Sequence, residues 1–143
     1  MEAFQHTFYP GRVLFGPGSI SKLGGEIKLL GAERVLFCCT PGRRIELEAI
    51  IAPLDNLKVG ICDIAEQYVP AHVAEKGQDI ARETNADCVV SYGGGTSVGL
   101  AKAIALKLDI PIISAVTTYS GSEMTDLQAI LTDDKRIGYQ SPS

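Results

Sequence analysis

The sequence has no apolar run approaching the ~20 residues that a membrane-spanning helix requires. Its opening Met1-Glu2-Ala3-Phe4 begins neither a charged n-region nor an apolar signal core. No membrane partner is therefore expected, and the chain reads as cytoplasmic. Cations are scarce: 13 lysines and arginines against 17 acidic residues leave a formal charge of −4. With no broad basic stripe to follow a phosphate backbone, nucleic acid is not an expected partner. Only two histidines, His6 and His72, are present, far apart in sequence, so no metal is expected to be bound by this chain alone. The four cysteines, Cys38, Cys39, Cys62 and Cys88, form no C-x-x-C pair and lie in or beside apolar runs, the pattern of buried thiols. What remains suffices for one compact domain over residues 1–143, because a chain of this length withdraws about 70% of its unfolded surface from water.

Hydrophobic periodicity changes along the chain. Phe4–Tyr9 and Arg12–Phe15 read as a strand pair about the Pro10-Gly11 break, stopped by Gly16-Pro17-Gly18. A helix follows, with Ser19 as N-cap, Ile20, Leu23, Ile27 and Leu30 at helical spacing, and Gly31 at its end. Apolar runs at 34–40, 59–64, 87–92 and 110–116 then read as four strands. The segments between them read as three helices, one carrying Leu47, Ile50, Ile51 and Leu54, one opening at Pro70, and one over 97–108. Strands alternating with helices predict βαβ units, hence an α/β fold: a Rossmann-like, doubly wound parallel sheet with right-handed crossovers. Met124–Thr132 and Arg136–Tyr139 read as a C-terminal β-hairpin on that core. An ending on Gln140-Ser141-Pro142-Ser143, with no closing helix, reads as a domain boundary or truncation.

Three segments offer chemistry. In the first, Gly93-Gly94-Gly95-Thr96-Ser97 follows a buried strand and opens a helix. Glycines there let the backbone turn tightly and approach a ligand. The amides of Thr96, Ser97 and Val98, with the positive end of the helix dipole, suit phosphate. Close packing of strand on helix would demand the same glycines. The pattern is neither G-x-G-x-x-G nor a Walker loop, and Lys102 reads as a solvated helix residue with no role. In the second, residues 114–125 place seven hydroxyl side chains after the fourth strand, on the edge where parallel sheets bind ligands. They suit ribose, amide or phosphate, or else a polar loop that caps itself. In the third, Arg43 and Arg44 stand where dinucleotide folds often carry an acidic residue for the ribose. They would tolerate a 2′-phosphate or simply open a solvated helix.

These stretches, Gly93–Leu106 and Thr117–Thr125, together with the early Arg12-Val13-Leu14-Phe15-Gly16-Pro17-Gly18-Ser19, resemble the iron-type alcohol dehydrogenase superfamily, and within it the maleylacetate reductases. The resemblance runs from Phe8 to about Thr132. Gly99, where alcohol dehydrogenases of this type usually carry Asp, and the short tyrosine-containing loop favour the maleylacetate branch. Departures are Thr96 for Ser, Val116 for Pro, Asp126 for Pro, and Tyr68 where His is common.

The resemblance implies an NAD(P)H-dependent reductase that converts maleylacetate to 3-oxoadipate in aromatic-compound degradation, with NADH as cofactor and NADPH as an alternative. It implies that Gly94, Gly95, Thr96 and Ser97 hold the pyrophosphate and that Thr117, Thr118 and Tyr119 line the nucleoside side. Ser122, Thr125 and Leu127 would lie nearer the nicotinamide, and Thr40 near the adenosine ribose. The superfamily's helical C-terminal domain, which carries its catalytic and metal-binding residues, is absent from these 143 residues. No catalytic or metal residue is carried over, and the piece alone is expected to bind cofactor without turnover, as part of a homodimer in the full-length protein. The alternatives are the same part of a metal-dependent alcohol or glycerol dehydrogenase, or a stand-alone nucleotide-binding module.

Overall fold

The computed structural model describes residues 12–124, 127–132 and 135–140. Its elements run α1 (Leu23–Leu29), β1 (Val35–Cys38), α2 (Arg44–Ile51), β2 (Lys58–Cys62), α3 (Ala71–Glu83), β3 (Cys88–Gly93), α4 (Gly95–Leu108), β4 (Ile112–Val116), β5 (Leu127–Thr132) and β6 (Lys135–Gln140). The first four strands form one parallel sheet in the order β2-β1-β3-β4, and β5 and β6 pair as the antiparallel hairpin expected from the sequence. Every residue of the inner strands β1 and β3 is buried, which is why both read as continuous apolar runs.

Alternation divides β1 between two layers. Val35, Phe37 and Cys39 meet Leu23 and Ile27 of α1 and Leu47 and Ile51 of α2 on one face. Leu36 and Cys38 meet Val73 and Ala81 of α3 and Leu100 and Ile104 of α4 on the other. Helices cover both faces, so the sheet is doubly wound. Each fully buried Leu, Ile or Phe contributes about 1.5–3 kcal/mol, and total stabilities are about 5–15 kcal/mol, so neither layer is dispensable. All four cysteines are buried and free. Burial pushes Cys39 up to about 11 and Cys88 up to about 12, which keeps both as inert thiols at neutral pH. Among the described residues, no helix is long and apolar enough to cross a membrane.

Several local expectations change. Phe4–Tyr9 lies outside the described residues, and Arg12–Phe15 takes no strand form and pairs with no described segment. Arg12 is instead tied to Glu26 at 2.7 Å. The helical segment opens with a short 3-10 turn over Ser19–Lys22, capped by Gly18 at φ +75° and not by Ser19, and α1 follows with Lys22 as its N-cap; Ser21 Oγ donates back to the Gly18 carbonyl at 2.8 Å. Helix α4 starts at Gly95, two residues earlier than the sequence suggested, because Gly94 is extended and its carbonyl accepts the amides of Ser97 and Val98.

Candidate functional site

The strand order reverses direction between β1 and β3, and in open α/β sheets the crevice at such a point, beyond the carboxyl ends, is where ligands bind. Thr40 follows β1 on one side of it. The glycine turn follows β3 on the other. Here Gly93 lies at φ +133°, which disfavours any side chain, and a Cβ on it would stand 2.7 Å from Ser97 Oγ. Gly95 is closed in from the next loop: a Cβ there would meet Ser120 Cβ at 2.9 Å. Gly94 differs from both, with an ordinary extended backbone where a Cβ would make only ordinary van der Waals contacts, with Thr118 Cβ at 3.5 Å and the Thr118 carbonyl oxygen at 3.8 Å. Two of the three glycines thus serve close packing, and the middle one forms a notch with room for a Cβ.

The first turn of α4 defines what this notch offers. The amides of Ser97 and Val98 turn inward to the Gly94 carbonyl at 3.1 and 3.2 Å, so they do not face the crevice as the sequence suggested. Gly95 and Thr96, the first helical residues, have no intrahelical acceptor for their N–H groups. Ser97 is 1% exposed and its Oγ has no hydrogen-bond partner; Ser91 Oγ, on β3, is likewise buried and unpartnered. Native interiors seldom leave such groups unmet, because each costs about 1–3 kcal/mol.

The hydroxyl loop after β4 is drawn onto this turn. The Thr117 amide donates to the Gly93 carbonyl at 2.9 Å, Thr118 abuts Gly94 and Ser120 abuts Gly95. Gly93–Gly95 and Thr117–Ser120 therefore adjoin, with Ser97 buried and Tyr119 exposed. The loop also organises itself. Glu123 accepts Ser120 Oγ at 2.9 Å and the amides of Ser120 and Gly121, while the Ser122 amide donates to Ser120 Oγ at 3.1 Å. Burial opposes the Glu123 charge, but its own backbone amide and these donors together hold its carboxyl below the usual range. The Ser-x-x-Glu spacing of a capping box was the sequence signal for this. Ser122 accepts a hydrogen bond from Lys102 Nζ at 3.1 Å, so Lys102 links α4 to the loop and is not merely solvated. Thr125 lies outside the described residues, and Leu127 opens β5.

After β1 the polar groups are committed internally. Thr40 is half-buried, and its carbonyl accepts the Arg43 amide. Arg43 pairs with Glu46 at 2.7 Å, and Glu46 also accepts the Tyr92 hydroxyl at 2.7 Å. Arg44 pairs with Glu48 and Asp63. Both arginines thus take the helix-start role. Among the described residues no cluster of three or more His, Cys, Asp or Glu is placed to hold a metal ion.

The profile of the iron-containing alcohol dehydrogenases matches residues 10–143. The chain is 39% identical over 139 residues to maleylacetate reductase 2 of Cupriavidus pinatubonensis, covering 96% of this chain and 39% of that protein. It superposes on the crystal structure of maleylacetate reductase from Agrobacterium tumefaciens with a TM-score of 0.94 at 35% identity, covering 99% of this chain and 41% of that one. It shares its fold, at a TM-score of 0.89 and 18% identity, with sulfoacetaldehyde reductase from Bifidobacterium kashiwanohense, solved in complex with NAD+; 99% of this chain and 44% of that one are covered. The chain therefore spans about two fifths of the length of the relatives it matches.

Proposed function

The chain belongs to the iron-containing alcohol dehydrogenase family, and on that premise we propose that it forms the dinucleotide-binding domain of a reductase that uses NADH to convert maleylacetate to 3-oxoadipate. NADH, when bound, supplies the hydride. The observation that carries this reading is the unpartnered Ser97 hydroxyl, 1% exposed and lying against Gly93, in the first turn of a 14-residue helix capped by Gly94. A diphosphate would meet that demand. Its oxygens accept from Ser97 Oγ and from the Gly95 and Thr96 amides, and the helix N-terminus favours the charge. Thr117, Thr118 and Tyr119 line the nucleoside side in this reading, Thr40 the adenosine ribose, and Ser122, Thr125 and Leu127 the nicotinamide side. Substrate and catalysis belong to the longer protein, a cytoplasmic homodimer whose helical domain completes the cleft. Val69 supports the maleylacetate branch over a metal-dependent alcohol dehydrogenase: its Cγ2 lies 2.6 Å from where a Cβ on residue 99 would stand, leaving no room there for an aspartate.

The test is calorimetric titration of the 143-residue chain with NADH and NADPH, then repetition with Gly94→Asp. An aspartate fits at 94, where Gly95→Asp would collide with Ser120. Asp is also a favoured N-cap, so the melting temperature should hold or rise. A carboxylate about 4 Å from a diphosphate should nonetheless lower NADH affinity about 100-fold or more. Unchanged affinity in a folded Gly94→Asp chain would remove the glycine notch from the site.

A further inference from the structure

Gly95, Gly99 and Lys102 are spaced by four and three residues along α4 and so share one of its faces. Ser120 rests on Gly95, Val69 rests on Gly99, and Lys102 Nζ donates to Ser122 Oγ. The loop after β4 and the loop after β2 therefore dock on the same bare stripe, both at the carboxyl edge of the sheet. The second of these loops is unusual. Tyr68 and Val69 are consecutive non-glycine residues at φ +66° and +47°, and for a β-branched residue that conformation is a true outlier. Packing holds it in place. Val69 is 5% exposed, clusters with Ala74 and Ala103, and donates its amide to the Glu66 carbonyl at 3.1 Å. The side chain this turn brings to the edge is Tyr68, 52% exposed.

Resting on the dinucleotide reading above, in which Ser122 lies on the nicotinamide side, we infer that Tyr68 is a specificity-determining residue at the nicotinamide end of the cleft, positioned by the seat of Val69 on Gly99. Ser122 and Val69 meet one face of α4 at Lys102 and Gly99, three residues apart, so the Tyr68 turn and Ser122 belong to the same end of the site. A phenol ring there offers a flat apolar face to a planar ring, while the diphosphate is held elsewhere, at the first turn of α4.

NADH and ADP-ribose separate the two halves, since ADP-ribose keeps the adenosine, diphosphate and ribose and lacks the nicotinamide. Tyr68→Ala should weaken NADH about five- to tenfold and leave ADP-ribose unchanged, while Tyr68→Phe retains NADH affinity. Gly99→Ala, whose methyl displaces Val69, should reproduce the selective loss, and its unchanged ADP-ribose affinity reports an intact fold. If Tyr68→Ala weakens both ligands equally or neither, or if the unaltered chain binds ADP-ribose but not NADH, Tyr68 has no such role. An unaltered chain that binds neither ligand overturns the dinucleotide reading itself and this inference with it.

Discussion

The two edges of the parallel sheet are built on opposite principles. At the amino edge, the Asp87 carboxylate accepts the Glu33 amide at 3.0 and 3.2 Å and the Arg34 amide at 2.9 Å. The Arg34 guanidinium donates to the Thr84 carbonyl at 2.6 and 3.1 Å and to that of Asn85 at 3.2 Å. Loops from two βα units are stapled together there with their donors and acceptors matched. Towards the carboxyl edge, β3 and the first turn of α4 each bury a hydroxyl without a partner, Ser91 and Ser97, and Gly94 between them has room for a Cβ. Matched groups hold the fold together; unmatched ones beside a crevice leave hydrogen-bonding capacity for a ligand.

The strongest way to break this comparison is to cut the staple. Asp87→Ala removes three charge-assisted hydrogen bonds and should lower the unfolding free energy by about 2 kcal/mol, read from denaturant midpoints. NADH affinity should not move, because the crevice lies at the other end of β3. A parallel loss of affinity would show that the edges are coupled. Ser97→Ala probes the opposite edge with a smaller effect. Deleting a buried, unpartnered hydroxyl should leave the free chain equally stable, or more stable by up to about 1 kcal/mol, while NADH affinity falls about tenfold. Lower stability in the free chain would mean that the hydroxyl is satisfied in solution, and the contrast between the edges would weaken.

Much of this arrangement was readable before the structure. Apolar runs located all four parallel strands, and apolar residues at helical spacing their connecting helices; for β1 and β3 the run follows from burial on both faces. The glycine turn stood out for the same local reason. What stayed hidden depends on neighbours distant in sequence. The order β2-β1-β3-β4, which puts the switch point beside Thr40 and Gly94, is a tertiary fact. Gly95 needs its bare backbone because Ser120 arrives from another loop, and Lys102 finds Ser122 twenty residues on. Arg12–Phe15 shows the converse error, since it takes no strand form and no segment among the described residues pairs with it.

Arg43 gives the subtlest test of how far the commitment of polar groups extends along the carboxyl edge. Its guanidinium is held by Glu46, whose carboxyl Arg43 and the Tyr92 hydroxyl together keep below the usual range. Glu46→Gln should free Arg43 beside Thr40 and raise NADPH affinity relative to NADH by about two- to fivefold, since one exposed cation gains little on a phosphate in water. The same substitution reports on Tyr92, whose hydroxyl is pushed up from 10.0 to about 12, chiefly by burial and then by Glu46. A phenol that holds its proton more tightly folded than unfolded stabilises the chain fully below pH 10 and loses that contribution as pH rises towards 12. In Glu46→Gln, phenolate absorbance should place the Tyr92 transition lower within that window, and stability should fall earlier as pH rises. A transition that stays near 12 would assign the shift to burial alone and leave Arg43 as the only partner for which Glu46 matters.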